Sequence, residues 1–162
     1  MRITLSDLTV DFDHLDPGRL LDDWRWLIGR SKQPILASAI GDAFLRDEKD
    51  GAVYLLDTAA GTCTKVTADE TDFRTLLTEP AWVTEHLAAR VIADFLTQGL
   101  RLAHGQVYSW QRPPVLGGEY EFQNATTSDI SVHFSMTGQI HEQVHDLPPG
   151  TPVSEISLHE PD

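Results

Sequence analysis

Cysteine is almost missing from this chain: Cys63 is the only one. A lone cysteine excludes an internal disulfide and fits a reducing cytoplasm. Set between Thr62 and Thr64, it reads as a strand residue rather than a nucleophile. Basic charge is scarce too. Three lysines (Lys32, Lys49, Lys65) and nine arginines are scattered among 25 acidic residues, for a net charge of −13. Binding a phosphate backbone needs clustered Lys and Arg, so no nucleic-acid partner is expected. No apolar run approaches the roughly 20 residues of a membrane-spanning helix, so no membrane association is expected. No basic, apolar leader opens the chain, which turns acidic by Asp7. A cytoplasmic protein is therefore expected. Gly117-Gly118 lacks the spacing of either nucleotide-binding motif, and no lysine follows it. No cofactor is expected on that ground.

What is present describes an ordinary globular protein. The chain has 162 residues, 41% hydrophobic and 23% charged, enough to bury a core without staples. The acidity steers such a protein toward basic partners. Plain solubility explains it equally well.

Periodicity predicts an α+β fold. Residues 1–16 read as an extended N-terminal arm, ending at Asp16-Pro17-Gly18, where Asp16 suits a helix N-cap and Pro17 the first helical position. A helix is expected over 17–28, with Leu20, Leu21, Trp24, Leu27 and Ile28 on one stripe. Trp24 is expected in the core, and Trp26 half-exposed near the opposite face. Strands follow at 34–39, 43–46, 53–57 and 62–66, with Asp50-Gly51 as a hairpin signal. Helices are expected from 67 or 69 to 78 and from 80 to 98, ended by Gly99. Beyond lie a strand or approach loop at 105–110, strands at 119–122 and 130–134 with 124–129 as their link, and an edge strand at 153–158. The whole is expected to be a single domain over 1–162. Its antiparallel meander would have about five to seven strands, packed with two to four helices.

One motif carries chemistry on its face. His141-Glu142-Gln143-Val144-His145 spells H-E-x-x-H, two zinc ligands one helical turn apart with a glutamate as base. Such a site needs a third protein ligand and a long, buried helix. Gly138 and Pro148-Pro149 bracket the motif, leaving about two to three turns at 3.6 residues per turn. Pro148 stands where the extended zinc-protease motif needs glycine. The plainer reading is a short amphipathic segment with Ile140 and Val144 buried and its polar residues solvated.

A second pattern spans the chain. Gly41-Asp42-x-Phe44, Gly51-x-Val53-x-x-Leu56-Asp57-x-x-x-Gly61, Val66, Asp72-Phe73 and Leu76-Leu77 are followed by Tyr108, Pro113-Pro114 and Leu116-Gly117-Gly118-Glu119-Tyr120. Asn124, His133, Gly138-Gln139-Ile140, Gln143 and Leu147-Pro148 complete it. Together they resemble the Tdi1 C-terminal-domain family of type VI secretion immunity proteins, in the neighbourhood of the SMI1/KNR4-like superfamily. The resemblance covers 20–151, leaving 1–16 as an arm and 152–162 as a tail. Gly117, Gly118, Asn124 and Gln143 stand at family-typical positions. Many relatives carry a separate N-terminal domain, which is not expected here. The resemblance implies a non-enzymatic protein that binds and neutralises a cognate toxin, often a nuclease.

Three functions from different classes follow. The first is an immunity-type binder of a basic toxin. Its candidate contact residues are Asp11, Asp13, Asp16, Asp22, Asp23 and Trp26. For those aspartates the plainer reading is a solvated helix start. The second is a zinc hydrolase using His141 and His145 as ligands and Glu142 as base. The third is a homo-oligomeric interaction domain pairing through the edge strand at 153–158; the chain itself is expected to be a monomer or homodimer. Elemental analysis of untagged protein prepared without chelator separates the second from the others. No bound metal is expected. One zinc per chain, lost in a His141→Ala, His145→Ala double variant, would make hydrolysis the leading reading.

Overall fold

The strand Ala43–Asp47 buries Ala43, Phe44 and Leu45 in succession, as a strand does when both its faces are covered. In the computed structural model, which describes residues 1–161, it is the centre of a five-stranded antiparallel sheet. The strands are β1 (Thr9–Val10), β2 (Lys32–Ser38), β3 (Ala43–Asp47), β4 (Val53–Asp57) and β5 (Thr62–Thr67), and they lie side by side in chain order. The expected meander is therefore found, and the architecture is α+β.

Side chains alternate across a strand, so β3 and β4 feed two cores. Ala43, Leu45 and Leu56 join one, while Phe44 and Val53 join the other. The first core is closed by α2 (Pro17–Leu20), α3 (Arg25–Ile28), the turn between them and α7 (Ile130–Val144), through Leu20, Trp24, Ile28, Ile130 and Phe134. The second is closed by α4 (Glu70–Leu76), α5 (Pro80–His86) and α6 (Ala89–Thr97), through Phe73, Leu87, Ile92 and Phe95. Aspartates start three of these helices. Asp16 accepts from Gly18 N, Asp69 from Asp72 N, and Asp129 from Ser131 N and Val132 N; each such cap contributes about 1 kcal/mol. A two-stranded sheet, β6 (Gln106–Trp110) with β7 (Ala125–Asp129), is tied to the larger one where Tyr108 N donates to Ala39 O at 2.7 Å.

Several expectations are corrected. The arm opens with a helical turn, α1 (Leu5–Leu8), before β1. The helix expected over 17–28 is interrupted by a 3-10 turn at Asp22–Trp24. That turn brings Trp24 and Trp26 to the same side, with rings stacked 6.0 Å apart, rather than to opposite faces. Trp24 is fully buried and Trp26 partly so, as expected. The helix expected over 80–98 breaks at Ala88, whose φ of 54° is left-handed. The strands expected at 119–122 and 130–134 are absent. The first is irregular and leads into a 3-10 turn at Phe122–Asn124; the second is the start of α7. The strand lies between them as β7, where a link was expected. Asp129 decides this boundary by capping α7, which buries Ile130, His133 and Phe134 at helical spacing.

Helix α7 is 15 residues long, not two to three turns. Gly138 does not end it. A Cβ there would stand 2.5 Å from the Asp23 carbonyl oxygen, so glycine lets α7 pack against the 3-10 turn. The segment expected as an edge strand at 153–158 has no regular structure. It is held along α7 by two glutamines one turn apart. Gln143 exchanges hydrogen bonds with Ser157 N and O (3.0 and 2.7 Å), and Gln139 with His159 N and O (both 2.8 Å). Backbone groups that a second copy would need for strand pairing are thus already satisfied at Ser157 and His159.

Alanine is about 1 kcal/mol better than glycine inside a helix, yet Gly138→Ala is expected to destabilise. Overpacking against backbone that cannot yield costs about 1–3 kcal/mol. Urea denaturation measures the difference, and a more stable variant would contradict the close packing of α7.

Candidate functional site

Where α7 crosses the end of β4, the two cores leave a pocket of about 360 Å³ between them. This lies within the roughly 300–1,000 Å³ usual for binding sites. Asp42, Asp57, Thr58, His133 and His141 form its floor. Ile40, Leu55, Trp110, Pro113, Pro114 and Ile140 contribute apolar wall, and Val91, Val115 and Tyr120 stand exposed at the mouth. The left-handed turn at Ala88 sets α6 at an angle to α5. Glu85 and His86 on one helix and Val91 on the other thereby line one side.

Thr58 organises the floor. Its N–H donates to Asp42 Oδ1 (3.0 Å), its hydroxyl donates to Gly41 O (2.8 Å), and its carbonyl accepts from His141 Nε2 (2.9 Å). His133 Nε2 donates to Gly41 O at 2.8 Å, which fixes the tautomer and leaves Nδ1 to accept from Ser109 Oγ at 2.9 Å. Among the described residues no buried side-chain nitrogen or oxygen lacks a partner. Above Gly61 the His141 ring sits where a Cβ would collide with it, and the φ of 72° there independently favours glycine.

The titrations of the floor follow from enclosure. Burial, and then the charge of Asp57, raise the Asp42 carboxyl to about 7, against the opposing hydrogen bonds from Thr58. Protein atoms surround this carboxyl on most sides while the residue keeps access to the pocket. Burial drives His133 down to about 4, and it lowers His141 against the carbonyls of Thr58 and Ala59 and the charge of Asp57. Both imidazoles are therefore neutral near pH 7, and the only lining charges of fixed sign are acidic. A histidine held near 4 is a weak proton acceptor at neutral pH, so Ser109–His133 is a structural pair rather than an activated nucleophile.

The sequence-predicted sites scatter. His141 and His145 share α7, but His141 is buried against Trp24 and bonded to Thr58 O, whereas His145 lies outside, its ring 4.5 Å from Trp26 and its Nε2 near Asp146. Glu142 is exposed. Among the described residues no three His, Cys, Asp or Glu side chains come together as a metal site. The expectation that the polar residues of this segment are solvated fails for His141, which is 5% exposed.

Of the acidic candidates, Asp16, Asp22 and Asp23 line a smaller hollow with Arg19 and His159, while Asp11 and Asp13 lie on the preceding loop. Asp23 is largely engaged, accepting from Ser135 Oγ (2.6 Å) and facing His159 Nε2 (3.6 Å). Trp26 stands apart, against α7 and His145. The four family-typical residues are architectural. Asn124 clasps the mouth loop, accepting from Arg112 N and donating to Arg112 O and Glu119 O (2.8–2.9 Å). Gly118 fits beneath that clasp, where a Cβ would meet the Arg112 carbonyl, and Gly117 turns the loop with φ 89°. Gln143 pins the tail. Asp42, Asp57 and His133 stood in the family-like pattern with no role attached to them, and Ser109 and Trp110 gave no signal.

Comparison with known proteins adds the following. Residues 68–141 match the family model described as T6SS immunity protein Tdi1, C-terminal. No curated protein matches the chain. Among solved structures, a crystal structure of Atu4351 from Agrobacterium tumefaciens is similar at a TM-score of 0.53 and 16% identity, over 77% of this chain and 65% of that one. At that identity the likeness is one of fold, and this chain spans 65% of the length of its counterpart.

Asp42 and His133 make opposite contributions to stability. Asp42, raised from 3.8 to about 7, stabilises fully below pH 4 and loses that contribution as pH rises through 7. His133, lowered from 6.5 to about 4, stabilises above 6.5 and loses it as pH falls toward 4. Asp42→Asn removes the first and keeps an oxygen for Thr58. The melting temperature of the variant relative to wild type is expected to rise from pH 5 to pH 8. A flat or falling difference would remove Asp42 from the enclosed floor.

Proposed function

We propose, from the match of residues 68–141 to the family model of the T6SS immunity protein Tdi1 C-terminal domain, that this chain neutralises a cognate toxin by binding it directly. The family match is the observation that carries the reading. Two features of the molecule support it. The pocket mouth exposes apolar side chains on two different elements, as a docking surface does. The floor holds its histidines neutral and bonded to carbonyls, which suits recognition better than catalysis.

The partner in this reading is a basic protein, a nuclease being the natural case, since enzymes that cut nucleic acid carry positive surfaces. The net charge of −13 then accelerates encounter by electrostatic steering. Asp11, Asp13, Asp16 and Asp22 are exposed and contribute to that field, with Asp23 mostly committed within the fold. Trp26, set apart from these aspartates against α7 and partly covered by His145, is the apolar contact in this reading. No helix among the described residues is long and apolar enough to cross a membrane. The acting unit is a monomer or homodimer.

The test pairs the purified chain with the product of the gene adjacent to its own, the expected toxin. A stable complex and loss of toxin activity are expected, and no complex would end this reading. In Asp11→Asn, Asp13→Asn, Asp22→Asn the association rate is expected to fall several-fold at low salt with little change in dissociation. An unchanged association rate would move the steering face elsewhere.

A further inference from the structure

We propose that the pocket between α5, α6, β4 and α7 is a receptor for one basic side chain, an arginine, presented by the protein partner. The inference rests on the binding function above for the identity of its occupant, and on the pocket itself for the chemistry. Three acidic residues line this space, Asp42, Asp57 and Glu85, and no lysine or arginine does. The three lining histidines are His86, His133 and His141, and the two on α7 are held neutral by burial and bonded to backbone carbonyls. An anion entering here would meet uncompensated like charge. A cation would meet the Asp42 carboxyl, whose proton affinity burial and the neighbouring charge of Asp57 raise, and an intervening positive charge relieves that repulsion.

The walls narrow the choice of cation. Trp110 and Tyr120 stand edge to face, 5.5 Å between centroids, and both line the pocket. With Ile40 and Leu55 they offer an aliphatic stem and a flat delocalised cation the surfaces they pack on. Arginine in an aromatic-walled, acid-floored pocket is a recurrent centre of binding energy at protein interfaces. The mouth argues for a protein rather than a free small cation. Tyr120 is 64% exposed, Val115 40% and Val91 39%, and all three lie around the opening. A small ligand seated on the floor would leave this apolar rim in water, whereas a partner surface around an inserted arginine covers it.

The titratable groups that share the pocket with Asp42 are Asp57 on β4, Glu85 and His86 on α5, His133 and His141 on α7, and the Tyr120 hydroxyl, which burial and the charges of Asp57 and Asp42 push upward. Asp42 is raised to about 7, so cation binding is expected to draw its proton off and to strengthen as pH rises.

Butylguanidine and its neutral isostere butylurea, titrated separately into the full chain and followed by NMR of the Trp110 and His133 resonances, test the chemistry without the toxin. Butylguanidine is expected to bind at least tenfold tighter than butylurea, and about tenfold tighter at pH 8 than at pH 6. Asp42→Asn, Asp57→Asn retains the local hydrogen-bond acceptors and is expected to lose the preference while keeping its fold, as checked by its melting transition. Equal binding of the two probes, no shift with either, or an unaltered preference in the double variant overturns the proposal. Once the toxin is in hand, a complex as tight with the double variant as with wild type would remove arginine insertion while leaving neutralisation intact. Probe binding without any toxin complex would do the reverse.

Discussion

Two histidines hold this molecule together across its middle. His133 and His141, on α7, reach back to the carbonyls of Gly41 and Thr58 at the ends of β2–β3 and β4, more than seventy residues earlier in the chain. Each bond satisfies a buried donor and a buried acceptor. Losing one partner strands the other, at about 1–3 kcal/mol. The helix could not sit so close without Gly61 beneath one ring and Gly138 against the 3-10 turn. Apolar burial supplies most of the stability, but it is non-directional. The histidine–carbonyl bonds decide how α7 lies, and so where the pocket is.

That docking has an electrostatic consequence. Closing α7 over β4 encloses Asp42 with Asp57 nearby, and the same closure keeps the histidines from neutralising them. A stable core would more simply be built without an enclosed carboxylate. Carboxyls with perturbed titration, open to a cleft, cluster at functional sites. In the proposed binding reaction, the long-range field of an acidic surface would govern the rate of approach and the acidic floor what is retained.

The matched family segment and the pocket do not coincide. Residues 68–141 supply α5, α6, the mouth loop and α7, whereas Asp42, Asp57 and Thr58 come from the sheet before it. Family-typical Asn124, Gly117 and Gly118 build the loop that frames the opening. None of the three lines the pocket itself, so their value is to shape the mouth rather than to contact what enters.

By itself the sequence determined the meander, because short apolar runs bounded by glycine turns, Asp50-Gly51 among them, are local signals. It also determined the cap at Asp16 and the burial of Trp24 and narrowed the next cap to Thr67 or Asp69, and the family likeness was readable in the spacing around Gly117-Gly118 and Asn124. Only the tertiary structure decided the rest. Ile130 to Phe134 alternates like a strand, yet Asp129 caps it and the sheet receives it as a helix. A helical run over 80–98 bends at Ala88, which nothing local demands. H-E-x-x-H is spaced for a metal, but one imidazole is drawn inward to Thr58 and the other stays outside on Trp26. The pocket floor is assembled from residues far apart in the chain. Its chemistry arises from enclosure, which no single segment carries.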